Sequence, residues 1–187
     1  RAAIPWTIAR QQYNLLTSHD TKRILTSLGG DQARNRLAAG LMMTYLGVPS
    51  VYYGDETGMG AAREDTARDC MLWERAAWNE DLLSFYRRLI ELRQTSPALI
   101  DGGFQVLLCE QDCLAYLRDS DDEQLIVVGN RGPDERPAGP LPVAHGAIPD
   151  GTEFQEVMSG RRLSVVSGCL PLAALPTGVE IWRTLRR

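Results

Sequence analysis

Asn14-Leu15-Leu16-Thr17-Ser18-His19-Asp20-Thr21-Lys22-Arg23 passes abruptly from apolar to ionisable residues. Tyr13 to Ser18 reads as a buried strand that delivers side chains to a pocket at its C-terminal end. His19 and Asp20 are the candidates for chemistry, with Arg23 one helical turn further on. A second apolar run, Val48-Pro49-Ser50-Val51-Tyr52-Tyr53, ends in the same way at Gly54-Asp55-Glu56. Apolar on both faces, it reads as a parallel strand covered on both sides. Two such strands joined by a helical stretch fit part of an α/β barrel or of a doubly wound sheet.

The segment between the strands supports this reading. Asp20 is expected to cap a helix over 21–28, ended by Gly29-Gly30. Asp31 is expected to cap a second helix, 32–46, with Leu37, Leu41, Met42, Tyr45 and Leu46 at helical spacing. Residues 54–77 read as a long irregular loop. Asn79 caps a helix over 80–95, with Leu82, Tyr86, Leu89, Ile90 and Arg93 on one face and Ser96-Pro97 at its end.

After Pro97 the pattern changes to short strands with turn signals between them. Strands are expected at 104–109, 114–118, 125–130, 154–157, 162–166 and 179–184, with the proline-rich segment 132–151 as a loop. Such a pattern predicts an antiparallel β-sandwich. The fold class is therefore α/β plus all-β, with an α/β portion over 1–97 and a sandwich over 98–187.

The motifs resemble the α-amylase family of glycoside hydrolases, nearest to the neopullulanase, cyclomaltodextrinase and maltogenic amylase group. Leu15 to Arg23 resembles the His-Asp region that ends that family's seventh barrel strand. Gly47-Val48-Pro49-Ser50-Val51-Tyr52-Tyr53-Gly54-Asp55-Glu56-Thr57-Gly58 resembles its eighth. Met71-Leu72-Trp73 and Leu82 to Ile90 resemble the loop and helix that follow. The resemblance implies the last two βα units of a (β/α)8 barrel followed by a small all-β domain. It also implies a parent enzyme that hydrolyses α-glucosidic bonds of maltodextrins with retention, or transfers or isomerises them. By resemblance Asp20 is the carboxylate that stabilises the transition state, and His19 and Arg23 bind substrate. The family's nucleophilic Asp (strand four) and acid Glu (strand five) have no counterpart here. The chain alone is thus expected to be inactive and to need an upstream barrel segment as its partner, since a whole barrel takes about 250 residues.

Other readings stay open for individual residues. Asp20 as a helix cap and His19 as a core histidine are the plain structural alternatives. Arg23 either pairs with a carboxylate at the floor of the site or lies on the helix. Asp55 and Glu56 either line the cleft or tie down the loop, and Trp73 and Trp78 either stack on sugars or pack the loop. In the related group this loop carries a run like Asp-Pro-x-x-Arg-Arg-Pro, but here it reads Glu64-Asp65-Thr66-Ala67-Arg68-Asp69-Cys70, without the proline and one arginine. A free-standing glucan-binding or structural module is the reading from another class.

Composition narrows the field. Net charge is −4 and offers no basic field for nucleic acid. No apolar run approaches the roughly 20 residues of a membrane span. Lys22 is the only lysine, which reads as compositional bias. Cys70, Cys109, Cys113 and Cys169 and the distant His19 and His145 make no zinc pattern. No cofactor is called for; calcium, common in the wider family, finds no specific oxygen cluster. Cys109 and Cys113 either bridge a hairpin or remain free thiols, as in a reducing cytoplasm. Cytoplasmic residence is the expectation, with secretion left open. Exposed strand edges predict self-association.

Overall fold

The computed structural model describes residues 4–60 and 67–185. The chain divides into two compact units, residues 1–94 and 95–187.

In the first unit a short helix α1 (Trp6–Ala9) leads into β1 (Tyr13–Leu15). Helices α2 (Ile24–Ser27) and α3 (Gln32–Thr44) follow, then β2 (Val48–Ser50) and α4 (Glu80–Thr95). Asp55–Thr57 and Arg75–Ala77 form single 3₁₀ turns. β1 and β2 pair in parallel, Tyr13 opposite Val48 and Leu15 opposite Ser50. Both are half the expected length, and Val48 stands 47% exposed, so β2 is not covered on both sides in this chain. Gly47 makes the entry to β2 fit. At φ +117°, any Cβ there would stand 2.5 Å from the Gln12 carbonyl oxygen.

α3 and α4 run the same way. Asn79 Nδ2, before α4, donates to Gln32 Oε1 at the start of α3 (3.3 Å). Arg93 at the other end of α4 donates to the carbonyls of Met43, in the last turn of α3, and of Tyr45 and Gly47 just beyond it. Arg93 therefore caps the neighbouring helix instead of joining the apolar face of its own. Leu82, Leu83, Tyr86, Leu89 and Leu92 form that face, while Ile90 points outward, contrary to expectation. The caps are as expected on both helices: Asp31 Oδ1 accepts from Arg34 N and Asn79 Oδ1 from Leu82 N.

The second unit opens with α5 (Pro97–Ile100), a turn of helix capped by Ser96 and not foreseen from the Ser-Pro stop signal. The strands are β3 (Gly103–Cys109), β4 (Cys113–Ser120), β5 (Glu123–Asn130), β6 (Gly139–Pro142), β7 (Glu153–Glu156), β8 (Arg162–Ser164), β9 (Cys169–Leu172) and β10 (Gly178–Thr184). β3-β4-β5-β10-β7-β8 form one antiparallel sheet, and β6-β9 a second. Ala115, Leu117, Ile126, Val128, Phe154 and Trp182 of the large sheet share a core with Leu141, Leu170 and Leu172 of the small one. β6 lies inside the expected loop. Its prolines, and Pro171 opposite, face solvent while Leu141, Leu170 and Leu172 face inward. Arg118, fully buried on β4, donates to the carbonyls of Leu99, Gly102 and Gly103 and ties α5 to the sheet. All four cysteines are free thiols; Cys113 Sγ contacts Asn130 Oδ1 instead of Cys109.

Candidate active site

The site is built where β1 ends. Thr17 is 3% exposed, and its hydroxyl accepts from Ile24 N at 2.9 Å, so Thr17 closes the start of α2. Asp20 does not act as a helix cap, because α2 begins only at Ile24. Instead residues 18–21 form a hydroxyl-stabilised turn: Ser18 N donates to Thr21 Oγ1 at 2.8 Å and Asp20 N to Ser18 Oγ at 3.2 Å. With its backbone fixed this way, Asp20 turns its side chain to solvent.

His19 and Asp20 stand together on the surface, 63% and 66% exposed, with His19 Nε2 at 3.1 Å from Asp20 Oδ2. His19 is therefore not a core histidine. A third side chain joins them. Arg68 Nη2 donates to Asp20 Oδ1 at 2.8 Å, and its Nε to the His19 carbonyl at 3.0 Å.

Arg23 is placed differently. It is 0% exposed, and its guanidinium donates to the Tyr53 carbonyl, the Ala67 carbonyl and Asp55 Oδ1. The rings of Tyr52 and Tyr53 lie over it at 5.0 and 4.7 Å. Of the two structural options for Arg23, the geometry takes the ion pair: as placed, the side chain faces Asp55 and not the open side of the site. Burial pushes the Asp55 carboxyl up to about 6, against the opposing pull of Thr17 and Arg23 and with a smaller push from Glu56. Tyr86 is likewise driven up, first by burial and then by Asp55 and Glu56.

Downstream, Trp73 is 78% exposed, and Trp78 donates Nε1 to the Leu72 carbonyl. Glu64, Asp65 and Thr66 of the divergent loop run lie outside the described residues. Among the described residues no group of carboxylates, cysteines or histidines is arranged to hold a metal ion, and no helix is long and apolar enough to cross a membrane.

A parallel strand pair flanked by co-directional helices, with an exposed His-Asp pair after the first strand, fits part of an α/β barrel or of a doubly wound sheet. The alpha amylase catalytic-domain family model matches residues 4–77, and that segment belongs to the α-amylase family. A cyclomaltodextrinase from Bacillus sp is 40% identical over 69% of this chain, which covers 24% of that protein. Neopullulanase 2 from Thermoactinomyces vulgaris is 34% identical over 97% of this chain, which covers 31% of it. A solved structure titled cyclomaltodextrinase superposes with a TM-score of 0.84 at 32% identity, over 98% of this chain and 31% of that one. The chain thus spans a third or less of the length of these relatives.

Of the three sequence candidates, His19 and Asp20 stand side by side on the surface, whereas Arg23 is buried behind them. Arg68 and Thr17 were missed in these roles. Arg68 lies in a run without periodicity, and only its being an arginine close to the expected cleft hinted at it.

Proposed function

We propose that this chain forms the last two βα units of a glycoside hydrolase barrel acting on maltodextrin-like α-glucans, together with the sandwich that follows them. The observation that carries this reading is the His19–Asp20 pair, exposed at the end of β1 beside the parallel β2. Retaining hydrolysis flattens the sugar ring toward an oxocarbenium ion, while a nucleophilic carboxylate and an acid work on opposite sides of the bond. Asp20 takes neither part. It accepts hydrogen bonds from ring hydroxyls next to the reacting carbon, and these tighten as the ring distorts, which lowers the barrier. His19 donates to a neighbouring hydroxyl. The names of the relatives, cyclomaltodextrinase and neopullulanase, support α-glucans as the substrate class. The nucleophile and acid come from an upstream segment that completes the barrel.

The test is complementation. The chain is mixed with the segment of the Bacillus cyclomaltodextrinase that precedes the matched region, and reducing ends released from maltodextrin are measured. Release by the mixture, none by either piece, and loss on Asp20→Asn is the expected result. Release by the chain alone that vanishes in Asp20→Asn would overturn the shared site.

A further inference from the structure

We propose that Arg68 is a positioning residue for the Asp20 carboxylate, mounted on a backbone that Tyr53 and the buried Arg23 hold in place. The inference rests on the reading of Asp20 as the sugar-facing carboxylate. An exposed arginine normally loses in rotamer freedom about what it gains from an ion pair. Arg68 is 66% exposed, yet its backbone is fixed on both sides. Ala67 is 1% exposed, and its carbonyl accepts from Arg23 Nη2 at 3.1 Å. The Asp69 carbonyl accepts from the Tyr53 hydroxyl at 2.8 Å. Arg23 is in turn held by Asp55 from the 3₁₀ turn after β2. The guanidinium of Arg68 therefore starts from a rigid base.

From there it makes two donations through one edge of its fork. Nη2 meets Asp20 Oδ1, and Nε meets the carbonyl of His19. The first fixes the carboxylate and the second fixes the peptide that carries it. Asp20 Oδ2 faces His19 Nε2. Each carboxylate oxygen thus has one cationic or imidazole neighbour and keeps acceptor capacity for a sugar hydroxyl. A carboxylate held by Arg68 at Oδ1, with His19 beside Oδ2, is oriented before the sugar arrives, and that is the condition under which its hydrogen bonds count in the transition state. The buried Arg23 acts on the site in the same way, through Ala67 and not by contact with a sugar.

The experiment is NMR of the chain with ¹⁵N-labelled arginine and ¹³C-labelled aspartate, with and without maltotriose. The Arg68 Nε–H should exchange with water about tenfold more slowly than a free guanidinium, as a charge-assisted, two-point contact requires. Tyr53→Phe should remove that protection without touching Asp20, and Asp20→Asn should free the Nη2 hydrogens that meet its carboxylate. Maltotriose should shift the Asp20 carboxyl resonance. Arg68→Ala should weaken that response about fivefold and Arg68→Lys, which keeps one donation, less. Free exchange at Arg68, or equal loss in the alanine and lysine variants, overturns the positioning role. A protected Arg68 with no maltotriose shift at Asp20 keeps the contact and overturns the sugar-facing reading on which it rests.

Discussion

Arg23 Nη1 lies 3.4 Å from Asp55 Oδ1, with the two side chains 0% and 3% exposed. The pair joins the turn after β1 to the turn after β2, and the Ala67 carbonyl completes the set. Removing one partner of a buried pair leaves a charge without compensation and costs about 3–5 kcal/mol. Arg23→Ala should therefore destabilise the first unit by about that much. Chemical denaturation followed by tryptophan fluorescence would measure it. A loss near zero would mean that the guanidinium is solvated in solution.

Asp55 gives the first unit a pH signature. Its carboxyl titrates near 6 in the folded chain against 3.8 when unfolded. Between these values the folded state holds the proton that the unfolded state has released, so stability falls as pH rises. The fall begins near pH 4, is complete just above pH 6, and amounts to about 3 kcal/mol. The difference between wild type and Asp55→Asn isolates this carboxyl and is the quantity to follow. That difference should move against the wild type from pH 4 to 6 and stay flat at higher pH. A difference independent of pH would place the Asp55 titration outside this window.

What the sequence made legible follows from how local each signal is. Asp31 and Asn79 cap their helices within three residues of themselves, so their roles are written in the adjoining sequence. The strands of the large sheet alternate or run apolar, and all six were read within one to two residues. β6 and β9 were hidden because their prolines mask a two-residue alternation that only the opposing strand makes sensible. Arg23 was ambiguous for a different reason. Burial of an arginine depends on Tyr53, Asp55 and Ala67, which lie 30 to 44 positions away. Arg68 reaches 48 positions back to Asp20, and no periodicity announces such a contact.

Gly47 should tolerate no side chain. Its φ of +117° is outside the range of ordinary residues, and a Cβ would meet the Gln12 carbonyl oxygen at 2.5 Å and Asn14 Nδ2 at 2.6 Å. Asn14 Nδ2 donates to the Leu46 carbonyl, so the clash strikes the contact that sets β1 against the entry to β2. Gly47→Ala should cost at least about 1–3 kcal/mol and loosen the β1–β2 pairing. Amide exchange at Val48, whose N–H donates to the Gln12 carbonyl, reports it directly. Unchanged protection there would contradict the close approach.

The two units should differ in solution behaviour. The second encloses its own core: Phe154 and Trp182 are fully buried, with Leu141 and Leu170 against them from the small sheet. The first has a two-stranded sheet, too few strands to be stable alone in water without further packing. Trp6, Ile8, Tyr13, Leu15 and Val48 are all at least 40% exposed around it. Apolar side chains beside unpaired strand edges favour association between copies. Residues 95–187 made alone should therefore unfold cooperatively as a monomer, with Trp182 fluorescence as the reporter. The whole chain should show a scattering mass that grows with concentration. Tyr13→Lys with Val48→Lys, which charges the edge pair, should lower that mass toward 20.7 kDa. A whole chain that stays monomeric at high concentration would mean that the first unit closes its sheet edges by itself.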